Sequence, residues 1–488
     1  MVRSNKTWTA CACVLALLVT SCGGGGSGGS EGGSTPTPTP TPAPTSTPTP
    51  VAGCSLRERQ DWAEAQLREW YLFPETLPAN ANPAAYTTLD DYIDSLTANA
   101  RAQNRDRFFT YRTSIAEENA YYEQGSSAGL GVRLGVNSAA RRLFVIEAFE
   151  TGPGATAGMR RGTEILAIGT SSGNLQTVQS LWVAGGVNAV ADALGPDEAG
   201  VTRVLQISDA SGTRNITVAK RDFALQPVSS TYGYKVIDQG GRKVGYLNLR
   251  TFISTAEPQM RTAFAAFRAA GVTQLVVDLR YNGGGLISVA ELMGNLMGAN
   301  RTASDVFSHT VFRPEKSAEN TTAYFAAQAE SVAPTKIAFI TSGGTASASE
   351  LVINSFLPYL NADVALIGAN TYGKPVGQIA IDRPSCDDRL RIVALKTQNS
   401  AGEGDYFNGL ADRMKSTCTS NDDISYDMGD PREDSTRVAL QFLSGQSCTP
   451  IIGQSMARMA VTPDTSEKRD ILAPARPSTP QREVPGLF

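Results

Sequence analysis

Apolar positions between Cys54 and about Ser114 recur at helical spacing: Trp62, Leu67, Trp70 and Tyr71 come close to one face, and a second amphipathic stretch follows Thr88. From about Ala128 to Arg221 the pattern changes to short β-runs parted by turns: GLGVRLG, LFVIEAF, EILAIG, RVLQIS and RNITVAK. Between the second and third of these, ETGPGATAGMRRG reads as a short helix bounded by glycine. From Lys243 onward strands and helices alternate, which predicts an α/β core. VGYLNLR is a strand, and Ser254 to Glu257 reads as a capping box before a helix that carries Met260, Phe264 and Phe267 and ends at Gly271. QLVVDL and KIAFIT are apolar runs of buried-strand length, each followed by a glycine-bearing turn and a helix. VALIG, QIAIDR and LRIVALKT follow as strands, and Asp430 to Glu433 caps a last helix that Gly445 ends. Beyond about Ser455 the chain is polar and proline-rich, the composition of a disordered tail.

The first residues stand outside this pattern. Arg3 and Lys6 precede an apolar run from Trp8 to about Val19, the layout of a signal peptide and too short to span a bilayer comfortably. Val19-Thr20-Ser21-Cys22 resembles the lipobox of bacterial lipoproteins, whose cysteine is lipidated and becomes the new N-terminus; a secretory peptide cut near Ser21 is the plainer alternative. Residues 23–53 are Gly/Ser-rich and then read TPTPTPTPAPTSTPTP from Thr35 to Pro50. Alternating proline favours polyproline II, a stalk of roughly 50 Å at about 3.1 Å per residue. The expectation is a lipid-anchored protein of the cell envelope, held to a membrane through Cys22 and facing the periplasm or the exterior.

A chain of 488 residues has room for roughly two to four domains. Its 43 Lys+Arg against 47 Asp+Glu leave a net charge of −4 without a basic run, so nucleic acid is not an expected partner. The single histidine, His309, excludes multi-histidine metal sites and would have to serve any Ser/His/Asp triad. Of seven cysteines, Cys11 and Cys13 leave with the leader and Cys22 would carry lipid. Cys54, Cys386, Cys418 and Cys448 remain, and in an exported chain they suggest two disulfides with three possible connectivities. The expected pairs are Cys386–Cys418 across the last strands and Cys54–Cys448, tying the N-terminal helices to the final one.

The β-rich stretch resembles a PDZ domain. GLGVRLG (Gly129–Gly135) matches that family's carboxylate-binding loop and the strand a peptide extends, and FETGPGATAGMRRGTEILAIG (Phe149–Gly169) matches its following helix and strand, with Thr163 where Asp is usual. Loop N–H groups of Gly129, Leu130, Gly131 and Val132 would receive a terminal carboxylate, and the strand edge would pair with the peptide backbone.

Downstream, three motifs stand in order: DLRYNGGG (Asp278–Gly285), TASASE (Thr345–Glu350) and TYGKPVGQ (Thr371–Gln378). Each alone is an ordinary turn. Together, with the PDZ-like stretch ahead of them, they resemble the C-terminal processing (tail-specific) serine proteases over roughly residues 54–450. Gly283 stands where that family has Pro, Ala369 where an acidic residue is common, and Pro375 where Gly follows the lysine. The resemblance implies an α+β multidomain chain: leader 1–21, lipidated cysteine and linker 22–53, helical segment 54–127, PDZ-like domain 128–227, protease core of the β-β-α spiral (crotonase-like) type 228–454, and disordered tail 455–488. Ser347 becomes the nucleophile, Lys374 its general base and Gln378 the residue that orients the lysine, with Gly284 and the Ala348 N–H as the oxyanion hole. Ser342 and Ser349 lie close by. The motif selects Ser347, whereas the usual serine-to-lysine spacing points at Ser349, a difference assigned to two extra residues around LPYLNADV.

The chemistry is coherent. A lysine near its ordinary pKa of about 10.4 is charged at neutral pH, but burial can lower it until the neutral amine activates a hydroxyl. Backbone N–H groups then hold the tetrahedral oxyanion. No metal or organic cofactor is required, and the partners would be protein or peptide substrates. A second enzyme reading gives His309 the base role. A reading from another class is a non-catalytic PDZ-type peptide-binding lipoprotein on a decayed protease fold.

Overall fold

The computed structural model describes residues 52–451 and 469–488. The leader, Cys22 and the Thr-Pro stalk lie outside the described residues, as does 452–468. Among the described residues no helix is long and apolar enough to cross a membrane.

Ser55 opens α1 (Leu56–Trp70) with a capping box: its N–H donates to Glu58 at 3.1 Å and its hydroxyl accepts from the Glu58 N–H at 3.4 Å. With α2 (Leu89–Leu96) and α3 (Ala98–Ala102), α1 buries Ala63, Leu67, Tyr71, Tyr92, Ile93 and Leu96 in one cluster. The segment 54–127 is not wholly helical, however. Tyr111–Ser114 forms a strand, β1, paired antiparallel with a long strand of the core, Asp388–Gln398. Aromatic and β-branched residues suit such an edge position. Ser114 then caps α4 (Ile115–Gln124), which stops at Gly125 with φ 69°.

The small β domain holds β2 (Ser126–Gly129), β3 (Val132–Asn137), β4 (Arg142–Ala148), α5 (Pro153–Thr156), β5 (Glu164–Gly169), β6 (Gln176–Thr177), α6 (Val178–Ala193), β7 (Thr202–Asp209), β8 (Gly212–Ala219) and β9 (Arg221–Ala224). Its main sheet runs β3-β4-β5-β7-β8, while β2 pairs with β9. The Thr163 hydroxyl accepts from the Arg160 N–H at 3.1 Å, closing the turn before β5.

The core begins with β10 (Tyr234–Gln239), β11 (Arg242–Asn248), α7 (Ala256–Ala269), β12 (Gln274–Asp278) and α8 (Ile287–Leu296). β13 (Val306–Phe312), β14 (Thr321–Tyr324), β15 (Lys336–Thr341), α9 (Ala348–Leu360) and β16 (Val364–Gly368) follow, then β17 (Val376–Arg383), β18 (Asp388–Gln398), β19 (Ser416–Thr419) and α10 (Asp434–Leu443). The central sheet has the order β10-β11-β12-β15-β16-β19 and is parallel from β11 to β19. Strand alternation explains its two faces. Leu275, Val277, Ile337, Phe339, Val364 and Leu366 point to the layer of α7, α8 and α9, while Val276, Ala338, Ile340, Ala365 and Ile367 point to α10. Burial on both faces is why these strands read as continuous apolar runs. A second sheet has the order β1-β18-β13-β14, with β17 on β18.

Three expectations need correction. The capping box at Ser254–Glu257 is absent: α7 begins at Ala256 without a side-chain cap, because backbone turns (Ala256 N–H to Ile253 O at 2.9 Å) already satisfy the start. The disulfides join Cys54 to Cys386 and Cys418 to Cys448, with Cα separations of 5.5 and 5.4 Å, so the expected connectivity is wrong. Arg59–Asp388 and Arg383–Glu58 contacts hold the start of α1 on the β17–β18 hairpin, which carries Cys386. Thr419 N–H to Thr449 O at 2.7 Å lays the segment after α10 along β19. The tail is the third correction: residues 469–488 are ordered, with β20 (Asp470–Ile471) paired to β3, a short α11 (Thr479–Glu483), and Val484, Leu487 and Phe488 buried. Its polar composition conceals an apolar end that the small domain covers.

Candidate active site

The carboxyl ends of β12, β15 and β16 deliver three loops to one edge of the parallel sheet, where open α/β sheets place their sites. The first loop is pinned from below. The buried Arg280 guanidinium bonds Asp278 at 2.9 Å and Glu433, at the start of α10, at 2.7 Å. Asn282 holds the top: its carbonyl accepts from the Ala346 N–H and the Ser349 hydroxyl, both at 3.0 Å, and its Oδ1 takes the Gly284 N–H at 2.9 Å.

The second loop carries Ser347, whose φ of 55° and ψ of −114° are unusual for a residue with a side chain. Such strain costs about 1–3 kcal/mol and persists only where the surroundings over-determine it. Here the Ser347 N–H donates to Glu350 Oε2 at 3.0 Å and its carbonyl accepts from Leu351 at 2.8 Å. Gly284 lies against it with φ 125°; a Cβ there would come within 2.7 Å of Ser347 Cβ, so this approach demands glycine.

Glu350 also reaches the third loop. Its two oxygens accept the N–H groups of Gly373 and Lys374, each at 2.7 Å, so one buried carboxyl ties the serine turn to the lysine loop. Burial pushes the Glu350 pKa up, while the accepted hydrogen bonds pull it the other way. Lys374 Nζ donates to Gln378 Oε1 at 2.9 Å and stands 5.2 Å from the Phe109 ring; the Gln378 amide donates to Phe109 O. Arg107 grips the same loop through the carbonyls of Tyr372 and Gly373. Burial holds the Lys374 pKa below the ordinary lysine value. Ser347, Ala348, Lys374 and Gln378 line one pocket of about 180 Å³, whose apolar wall includes Leu286, Leu351 and Val376.

Other sequence candidates sit elsewhere. Ser349 is fully buried with its hydroxyl committed to Asn282, and Ser342 donates to Arg280 O. His309 lies on β13 with Nδ1 2.9 Å from Thr322 Oγ1, and it is not among the residues lining the Ser347 pocket. Of the expected oxyanion donors, Ala348 is the first residue of α9, where an N–H has no carbonyl of its own helix to meet. The Gly284 N–H is turned to Asn282, whereas the neighbouring Gly283 N–H holds the Glu483 carbonyl at 2.9 Å.

The loop Gly129–Val132 is also filled. Val132 exchanges both backbone bonds with Phe488, donating at 3.3 Å and accepting at 3.0 Å, and a Cβ on Gly129 would lie 2.7 Å from the Phe488 carboxyl carbon. Gly131, with φ 67°, lets its carbonyl accept from Phe149, and the Leu130 carbonyl accepts from Gly154 at 2.7 Å. Sequence reasoning missed the tail altogether. It also left Glu350 and Arg280 without roles, although both stand inside quoted motifs; their signal is a charged residue next to buried strand ends.

A parallel sheet with a strained serine and a half-buried lysine at its carboxyl edge defines a hydrolase-like site. Residues 243–406 match the model of peptidase family S41. The "Carboxyl-terminal-processing protease" of Picosynechococcus sp. is 25% identical over 261 residues, 53% of this chain and 57% of the relative. "Carboxy-terminal processing protease CtpA" of Bacillus subtilis is 23% identical over 313 residues, 62% of this chain and 60% of the relative. The chain thus spans little more than half the length of the curated relatives it matches. A solved structure described as an S41 protease, from Bacteroides fragilis, aligns with a TM-score of 0.61 at 23% identity over 79% of this chain and 97% of its own, a likeness of fold.

Proposed function

We propose that the protein is an envelope-anchored serine endopeptidase that hydrolyses peptide bonds of proteins or peptides by a Ser-Lys mechanism and engages their C-terminal ends through a PDZ domain. The observation that carries the proposal is Lys374: a lysine depressed by burial, aimed by Gln378, in the same pocket as a serine held in a strained turn. Neutral Lys374 takes the proton of Ser347 Oγ as that oxygen adds to the scissile carbonyl. The oxyanion is met by the Ala348 N–H and by the glycine turn, where the Gly283 N–H already binds a carbonyl. Collapse breaks the C–N bond as Lys374 returns the proton to the leaving amine, giving an acyl-serine and a free new N-terminus. Water, deprotonated by the same lysine, then releases the acid. The PDZ reading rests on the Gly129–Val132 loop and on the outer edge of β3, where β20 and the last residues of the chain pair; the anchor rests on the Val19–Cys22 sequence alone.

The test is hydrolysis of an unfolded protein by the full chain. Ser347→Ala, Lys374→Ala and Lys374→Arg should each lose at least about 10⁴-fold in kcat/KM while keeping the wild-type Tm, and the Ser347/Lys374 double variant should be no worse than either single one. An active Lys374→Ala enzyme would overturn the mechanism. A wild type inert on every unfolded substrate would favour the peptide-binding lipoprotein.

A further inference from the structure

The last ten residues of the chain run through both places where a substrate would sit. Beginning at the carboxyl end, Phe488 pairs with Val132, Leu487 bridges to Arg133, and the Gly486 carbonyl accepts from the Leu134 N–H at 2.8 Å. This is antiparallel strand addition with the Phe488 carbonyl against Gly129. The Phe488 side chain is 3% exposed and belongs to the same apolar cluster as Leu130, Val132, Leu181, Val190 and Leu194. Arg133 then bridges the tail to the catalytic turn, donating to the carbonyls of Pro485 and Tyr281. Two residues before Pro485, the Glu483 carbonyl lies on the Gly283 N–H, and Glu483 lines the pocket that holds Ser347 and Lys374. The residue is 5% exposed; its Oε1 accepts from the Tyr122 hydroxyl at 3.2 Å, and its Oε2 is buried without a hydrogen-bond partner.

We infer that the segment Ser478–Phe488 is a resident ligand held in cis, which fills the groove along β3 with its apolar residues and obstructs the catalytic cleft until another apolar peptide displaces it. This rests on the peptidase and PDZ reading above and adds the occupant and the kind of peptide that competes with it: one that places an apolar or aromatic residue where Phe488 sits. Two features make the tail an obstruction rather than a substrate. Thr479–Glu483 is helical, so it offers no extended peptide to Ser347, and the Glu483 carboxyl favours the protonated form of Lys374, the form that cannot act as a base. A tethered ligand acts at an effective concentration of about 1 mM, so a tail of modest intrinsic affinity would weaken a free competitor by about 10- to 100-fold.

The test separates binding from catalysis by using Ser347→Ala protein and reading fluorescence anisotropy of a labelled peptide ending in Val-Pro-Gly-Leu-Phe. A chain that stops at Pro477 should bind this probe at least 10-fold more tightly than the full-length chain. Because the tail contributes buried residues, a full-length chain with Phe488→Asp serves as a second release variant and should also bind more tightly than its parent. With Ser347 restored, either release should raise kcat/KM on an unfolded protein by about 10-fold or more. Equal binding of the probe to full-length and released chains, or failure of folded released chains to bind it, would overturn the inference. Because the binding arm needs no turnover, released chains that bind the probe yet stay inactive on unfolded protein would sink the peptidase reading and leave the tail's occupancy of the groove standing.

Discussion

The serine turn and the Gly129–Val132 loop are both tight turns beside the last residues of the chain, but they are built differently. In the groove loop every unusual dihedral falls on glycine: Gly129 has φ 155° and Gly131 φ 67°. The serine turn places φ 55° on Ser347 itself, a residue whose side chain the chemistry needs. Glycine supplies such geometry without strain, and a serine must be held in it. The holding is visible in Glu350, which fixes the Ser347, Gly373 and Lys374 amides together, and in Asn282, which fixes Ala346, Ser349 and Gly284. A site that only binds can rely on backbone freedom, whereas a site that reacts needs a network behind it.

Breaking each turn by one methyl group should show this difference most strongly. Gly284→Ala drives a Cβ into Ser347 and should cost about 10³-fold in kcat on any substrate, long or short. Gly129→Ala crowds the Phe488 carbonyl, with its Cβ 2.7 Å from that carbon. It should raise KM for substrates with a free apolar C-terminus while leaving kcat on a short peptide within about twofold, read from steady-state kinetics on the two substrate types. Equal losses in both variants would erase the distinction.

A smaller effect lies in pH. The folded pKa of Lys374 is below its unfolded value near 10.4, so between the two the folded protein binds fewer protons than the unfolded chain. By linkage this group's contribution to stability rises with pH across that window, and kcat/KM should climb along a limb centred below 10.4. Lys374→Met should remove both slopes, measured by denaturant melts and by the pH–rate profile. A limb centred at the ordinary lysine value would contradict a desolvated base.

The smallest effects are expected at the hydroxyl and imidazole that the cleft does not use. Ser349→Ala frees the Asn282 carbonyl from one partner and should cost about 1–2 kcal/mol of stability with most activity kept. His309→Ala should be nearly silent in both, since its ring bonds only to Thr322 among the described residues. A crippled His309→Ala enzyme would return the histidine to the site.

Much of the architecture was legible because strand burial writes itself into the chain. QLVVDL and KIAFIT are apolar at every position since both faces are covered, and the glycine turns after them mark the sheet edge that carries the site. What escaped was set by partners distant in sequence. Tyr111–Ser114 is a strand only because β18 offers an edge, and Cys54 meets Cys386 only because α1 docks on the hairpin 332 residues away. The tail misled by composition: its prolines and charges look disordered, while Val484, Leu487 and Phe488 find a groove that local pattern cannot show. Ser347 against Ser349 was settled in the sequence by motif and not by spacing; burial of Ser349 gives a physical reason for the same choice.

The central claim is that Ser347 attacks and Lys374 takes its proton, and the most direct measurement is the position of the acyl group. Full-length protein incubated with a slowly deacylating peptide ester, then digested and mapped by mass spectrometry, should carry the adduct on Ser347 in the wild type and no adduct at neutral pH in Lys374→Ala. An adduct on Ser349, or acylation undiminished by loss of the lysine, would contradict the account.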